Sequence, residues 1–325
     1  MTLEFGAMRK ATDIPLQRES HKYLDERTLG FLKHLSFSAR GAVDGAYTGK
    51  HKSLLKGHSQ EFTDYREYMP GDDIRKIDWK VYGRTDRYVI KLCEQETVMT
   101  CYLLVDCSAS MAFGGSWHEK FFGPQDVSKY DYACYLSAAL SYLLLKQGDR
   151  VSLTLFGSDI EQHLPAGSTF SHLNEILHAL DVQKVHHKTC TSKVLQQASS
   201  LLKRRGILIV ISDLLDDPEA LFGVLDMYLH RSFEIVLFHV LHKHELELPN
   251  LPNANFIDSE SGEKLTSVPD DIRQAYGREL QHYIDTIMSM AEVRRIDYEL
   301  MSTETPYPAA LQGYMERRRR RCGFS

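Results

Sequence analysis

The stretch LLVDCSASM, residues 103–111, runs apolar residues into an aspartate and then sets serines at every second position. Asp106, Ser108 and Ser110 are therefore three oxygen donors delivered from the end of a strand that reads as buried. Three chemistries suit the pattern: a phosphoryl-transfer nucleophile at Asp106, a reactive thiol at Cys107, or a divalent cation held by the oxygens. An aspartyl nucleophile needs a second acid two residues on, and Ser108 stands there, unable to give up a proton near neutral pH. Cys107 directly follows an aspartate, whose negative charge raises a thiol pKa rather than activating the sulfur. The cation uses every oxygen.

The elements that must position these residues follow from periodicity. Residues 98–105 read as a strand, and 128–148 as a long helix, apolar at 132, 136, 139, 140, 143 and 144 and ended by Gly148. A strand at 150–156 and a helix at 170–181, with Ser171 as its N-cap, come next. A helix over 191–206 leads to GILIVISD, 206–213, a continuous run of the kind buried on both sheet faces. A helix at 218–231, strands at 233–241 and 296–302, and a helix at 269–293 complete the series. Such alternation predicts an α/β fold with a doubly wound, mostly parallel sheet over 98–302. Ahead of it lie a flexible arm, 1–21, and a segment at 22–97; a helical, Arg-rich tail, 303–325, follows.

Ligands of such sheets bind beyond the carboxyl ends of the strands, at the topological switch point. There the second buried strand delivers Ser212 and Asp213, and the loop before 191–206 carries Lys188, Thr189, Cys190, Thr191 and Ser192. Two carboxylates and three or four hydroxyls converge, with no basic residue evident among them. A set of hard oxygens suits the small octahedral shell of Mg²⁺.

The set resembles the metal-ion-dependent adhesion site of von Willebrand factor A domains, built from D-x-S-x-S, a threonine in a distant loop and an aspartate after a later strand. The resemblance implies a metal held by Asp106, Ser108, Ser110, Thr189 and Asp213, with Thr191 a second choice for the threonine. It implies Mg²⁺, with Mn²⁺ or Ca²⁺ as alternatives, and a von Willebrand factor A-like domain over 98–302. A cation held mainly by neutral hydroxyls keeps charge for a partner's carboxylate, so binding rather than catalysis is the expected output. A metal-dependent hydrolase or phosphatase and a metal-free scaffold stand as alternatives.

The segment EFTDYREYMPGDDIRKIDWKVYGRT, 61–85, is dense in both charge signs and in aromatic residues. It resembles the signature of the "domain of unknown function 58" family, with Gly83 where alanine is usual. That resemblance implies a bacterial protein acting with a MoxR-type AAA+ ATPase in chaperone-like maturation of client proteins. Arg66, Asp72, Asp73, Arg75 and Asp78, with Trp117 from the loop after the serines, are candidates for docking the ATPase or client. The competing expectation is an internal network stapling the N-terminal segment to the sheet, since Phe62, Tyr65 and Trp79 favour burial.

Composition excludes other classes. With 43% hydrophobic residues in 325, the chain can build a sizeable core, and a net charge of −5 argues against a general nucleic-acid binder. The arginine run 317–321 reads as a solvated helix end. Six scattered cysteines form no C-x-x-C pair, which predicts a reducing, cytoplasmic setting, with Cys101 and Cys134 as core residues. No signal-like apolar core and no run approaching about 18 apolar residues predicts a membrane span. His239, His242 and His244 could hold zinc, but alternate residues of an extended segment diverge, and solvated loop histidines are expected.

Overall fold

The computed structural model describes residues 22–24, 29, 30, 32, 35, 37, 52–53, 61–69, 74, 77–96, 98–114, 127–185, 190–248, 254–257, 264–267 and 269–321. Its first elements form a small antiparallel sheet, ordered β1 (Lys52–Ser53), β3 (Val89–Glu96), β2 (Glu61–Glu67). Helix α1 (Trp79–Thr85) precedes β3, capped by the Asp78 carboxylate. The central sheet has six strands: β4 (Thr100–Asp106), β5 (Arg150–Phe156), β6 (Ile160–Gly167), β7 (Ile207–Ser212), β8 (Glu234–Leu241) and β11 (Asp297–Ser302). Their spatial order is β11-β8-β7-β4-β5-β6, parallel throughout except for β6, which runs antiparallel to β5 at the edge. A separate hairpin joins β9 (Ala254–Ile257) to β10 (Lys264–Ser267).

Alternation explains why β4 and β7 are buried along their whole length. Cys101, Leu103 and Val105 of β4, with Ile207, Ile209 and Ile211 of β7, pack beneath α2 (Lys129–Lys146), α3 (Phe170–Val182) and α8 (Tyr307–Arg321). Tyr102 and Leu104, with Leu208 and Val210, face α4 (Thr191–Ala198), α5 (Pro218–His230) and α7 (Pro269–Val293). Helices on both faces leave no wet side, so the strands need no polar residues until their ends. The central pair lies at the switch point, where the chain turns outward to β5 on one side and to β8 on the other.

The mixed α/β fold with a mostly parallel sheet agrees with the expectation, and several elements differ in detail. The helix expected over 191–206 stops at Ala198. There the Ser199 and Ser200 hydroxyls bond back to the carbonyls of Gln196 and Gln197, competing with the helical ladder. Strand β6, IEQHLPAG, has no counterpart in the sequence-based expectation; its Pro165 is tolerated because the strand is an edge. Trp79, expected to be buried, is 56% exposed. The arginine run is not wholly solvated: Arg318 is 2% exposed and α8 buries Leu311, Tyr314 and Met315 against the sheet. Cys101 and Cys134 are core residues as expected.

Candidate functional site

Register sets the site. Val105 of β4 pairs with Ile211 of β7, so the next residues, Asp106 and Ser212, emerge level with each other at the carboxyl edge. The Ser212 hydroxyl donates to Asp106 Oδ2 at 2.6 Å and accepts from the Leu214 N–H at 2.9 Å. Asp106 Oδ1 accepts the Ser108 N–H at 2.9 Å, an Asx-type turn that bends the chain out of the strand. Ser108 and Ser110 then meet through their hydroxyl oxygens, 3.1 Å apart, at the start of a short 3₁₀ turn, Ala109–Ala112. Asp106, Ser108 and Asp213 are fully buried. Burial, and after it the nearby Asp213 charge, push the Asp106 carboxyl up to about 7.

Asp213 leads into a constrained loop. Leu214 sits at φ +51°, a left-handed conformation unfavourable for a branched side chain, yet its side chain is fully buried. The Tyr283 hydroxyl of α7 meets the Leu214 and Asp216 carbonyls and holds the loop in place. Asp216 Oδ2 in turn accepts the Ser192 N–H at 2.9 Å, fixing the start of α4 at the same edge. The neighbouring Thr191 is fully buried, and its hydroxyl has no hydrogen-bond partner among the described residues. A buried hydroxyl left unpaired costs free energy and is the kind of atom that awaits a ligand or water.

A basic group does enter the site, contrary to expectation. Lys129, the first residue of α2, is fully buried, and its Nζ lies 2.8 Å from Asp213 Oδ2 and 2.6 Å from Glu245 Oε1. Burial alone pulls this amine down, but the Asp213 and Glu245 charges outweigh it and hold it above its ordinary value. Glu245 belongs to the short helix α6 (Lys243–Leu246) and is fixed by its own Oε2, which accepts the His242 N–H at 2.8 Å. One signal for Lys129 was present: a lysine in the first turn of a helix opposes the dipole and calls for a nearby acid. Gly114, at φ +121°, lets the loop after Ser110 pass close by; a Cβ there would lie 2.6 Å from the Val127 carbonyl oxygen.

Other candidates resolve differently. Cys107 is fully buried, its thiol donating to the Phe156 carbonyl at 3.1 Å, and burial and then Asp106 push it up to about 12. It is no nucleophile. His239 is buried rather than solvated and bonds through Nδ1 to the Tyr298 hydroxyl at 2.8 Å; His242, 2% exposed, caps α6 through Nδ1. Among the described residues, no group of three or more His, Cys, Asp or Glu is arranged to hold a metal. The oxygens that this edge brings together are two carboxylates and serine hydroxyls. Asp78 spends its carboxylate on the Lys80 and Val81 N–H groups of α1, and Arg66 is half-buried on β2. Thr189, Asp72, Asp73, Arg75 and Trp117 lie outside the described residues. Beside the site a groove of about 790 Å³ is lined by Leu215, Asp216, Tyr276 and Tyr283, among others. Among the described residues, no helix is long and apolar enough to cross a membrane.

Comparison with known proteins adds the family. The family described as "Protein of unknown function DUF58" matches residues 64–283. The chain belongs to this family. It is similar to uncharacterized protein Rv1480 of Mycobacterium tuberculosis and uncharacterized protein Mb1516 of Mycobacterium bovis, each 27% identical over 241 residues and 73% of both chains. Among solved structures, an aerotolerance-related membrane protein from Bacteroides fragilis covers 67% of this DUF58 chain and 99% of its own, at 14% identity and a TM-score of 0.41. BatB from Bacteroides thetaiotaomicron covers 67% and 98%, at 13% identity and a TM-score of 0.38.

Proposed function

We propose that this DUF58 protein is a cation-dependent protein-interaction module whose sheet is of the von Willebrand factor A type. Asp106, Ser108, Ser110 and Asp213 would hold Mg²⁺, with a hydroxyl from Thr189 or Thr191 completing the donor set. What supports the reading is the fully buried Thr191 hydroxyl, unpaired among the described residues and tied through Ser192 and Asp216 to the edge that carries Asp106, Ser108 and Asp213. Unspent lone pairs on Ser108 and Ser110 fit the same hard cation. When bound, the ion supplies positive charge for a carboxylate of a partner. The partner proposed is a MoxR-type AAA+ ATPase, or the client on which the two act in maturation or assembly.

A metal-free scaffold is favoured by one observation, the Lys129 ammonium already paired with Asp213. Titration calorimetry with Mg²⁺ and Mn²⁺ separates the two. Saturable binding in the wild type that is lost in Asp106→Asn supports the cation site; equal heats in both proteins overturn it. Capture of the ATPase that disappears in EDTA and returns with Mg²⁺ supports the interaction module.

A further inference from the structure

We infer that Lys129 is the site's own displaceable counter-ion, and that a divalent cation is admitted only as Lys129 leaves Asp213 for Glu245. The inference rests on the cation reading of the same site and adds the residue that regulates it. The charges carry the argument. Asp106 and Asp213 approach from adjacent strands, both fully buried, and Lys129 is the buried cation that neutralises one of them. A divalent ion held by these carboxylates would stand within a few ångströms of that ammonium, where repulsion is large even in a polarisable interior. The amine and the metal thus compete for one carboxylate.

The geometry also provides somewhere for the amine to go. Nζ already touches Glu245 Oε1 as well as Asp213 Oδ2. The Glu245 side chain is 19% exposed, whereas that of Asp213 is fully buried, so the second partner lies toward solvent. Glu245 is held ready by its bond to the His242 N–H, and the Phe113 ring lies 6.0 Å from Nζ. A lysine suits exchange, since its ammonium is a point charge on a flexible stem and not a fixed fork. Sitting in the first turn of α2, it is further disfavoured by the helix dipole, which lowers the cost of moving it.

The test is Mg²⁺ affinity of the full chain by calorimetry, with thermal unfolding followed in parallel. Lys129→Met should bind Mg²⁺ roughly 10- to 100-fold more tightly than the wild type, the range of a typical coupling between linked sites. Its unfolding temperature should also rise more steeply with Mg²⁺ than that of the wild type. Lys129→Arg, which grips both carboxylates more firmly, should bind more weakly, and so should Glu245→Gln, which removes the alternative partner. If Lys129→Met does not fold without metal, those last two variants carry the test. Wild-type binding that is lost in Asp106→Asn but unchanged or weakened in Lys129→Met overturns this inference and leaves the cation site standing. If none of the variants nor the wild type binds Mg²⁺ or Mn²⁺, the cation site falls and the inference with it.

Discussion

Two buried cations sit at opposite ends of the central sheet, and each bridges two carboxylates. At the amino end Arg318 of α8 holds Asp297 and Glu234, the first residues of β11 and β8. At the carboxyl end Lys129 holds Asp213 and Glu245. The two clusters share a charge plan and differ in how completely they are satisfied. Arg318 also donates to the Tyr314 hydroxyl at 3.0 Å, lies 4.6 Å from the Phe37 ring centroid, and shares Asp297 with Arg321. A planar guanidinium that is always charged and bonded on several sides is a staple. At the carboxyl end the oxygens are under-used: among the described residues the Thr191 hydroxyl is unpaired, and Ser108 and Ser110 share one contact. The same ion-pair geometry is closed at one end and open at the other.

The largest expected effect breaks the closed end. Arg318→Met leaves Asp297 and Glu234 without their buried partner, and should cost about 3–5 kcal/mol in urea unfolding, the usual cost of half-breaking a buried pair. The loss should be the same with and without Mg²⁺. Recovery by Mg²⁺ would show that the two ends are not different in kind.

Lys129→Met should cost a similar amount in the absence of metal, by the same argument. Here, however, Mg²⁺ at about 100 times its Kd should return roughly 2.7 kcal/mol, because only the native state binds it. Urea unfolding across an Mg²⁺ series reads this directly, and a flat series would place Lys129 beside Arg318 as a staple.

Acid should also act on the carboxyl end. Burial, opposed by the Asp213 charge, brings His239 from 6.5 down to about 4. Below pH 6.5 the unfolded chain takes up a proton that the native histidine refuses until about pH 4. His239 therefore contributes a loss of stability as pH falls through that window, on the order of 3 kcal/mol, opposed by Asp106, whose native carboxyl, raised to about 7, takes up its proton before the unfolded one does. His239→Gln should remove that contribution, so that stability between those limits falls less, or rises more, with acid than in the wild type; an unchanged slope would overturn the assignment to His239.

What the sequence disclosed divides along the same line. Five of the six strands of the central sheet and most of its helices were legible, since periodicity and β-branched runs are local signals, and α7 falls over Pro269–Val293 as its spacing predicts. Asp106, Ser108, Ser110 and Asp213 were legible because each lies at or just past the end of a recognisable strand. Both cations escaped notice because each is paired across more than eighty residues, Lys129 to Asp213 and Arg318 to Glu234. Such pairing is set by how helices dock on the sheet, and no spacing rule encodes it. Trp79 shows the converse: an aromatic residue promises burial only when something covers it, and 56% of it is exposed.

The smallest effect sharpens the comparison most. Asp106 is as buried as Asp297, so a purely structural view expects its loss to be severe. Yet its bonds are a Ser108 N–H and a Ser212 hydroxyl, and neither donor is charged. In Asp106→Asn the amide oxygen keeps the Ser108 N–H. The new NH₂ can donate to the spare lone pair of Ser212, whose hydroxyl accepts one bond from Leu214 already. The change also removes a buried negative charge that stands against Asp213. The two gains offset the lost bond, so unfolding in urea should shift by no more than about 1 kcal/mol, while the response to Mg²⁺ disappears. A loss of several kcal/mol would instead make Asp106 a carboxylate of the fold, and the carboxyl end as closed as the amino end.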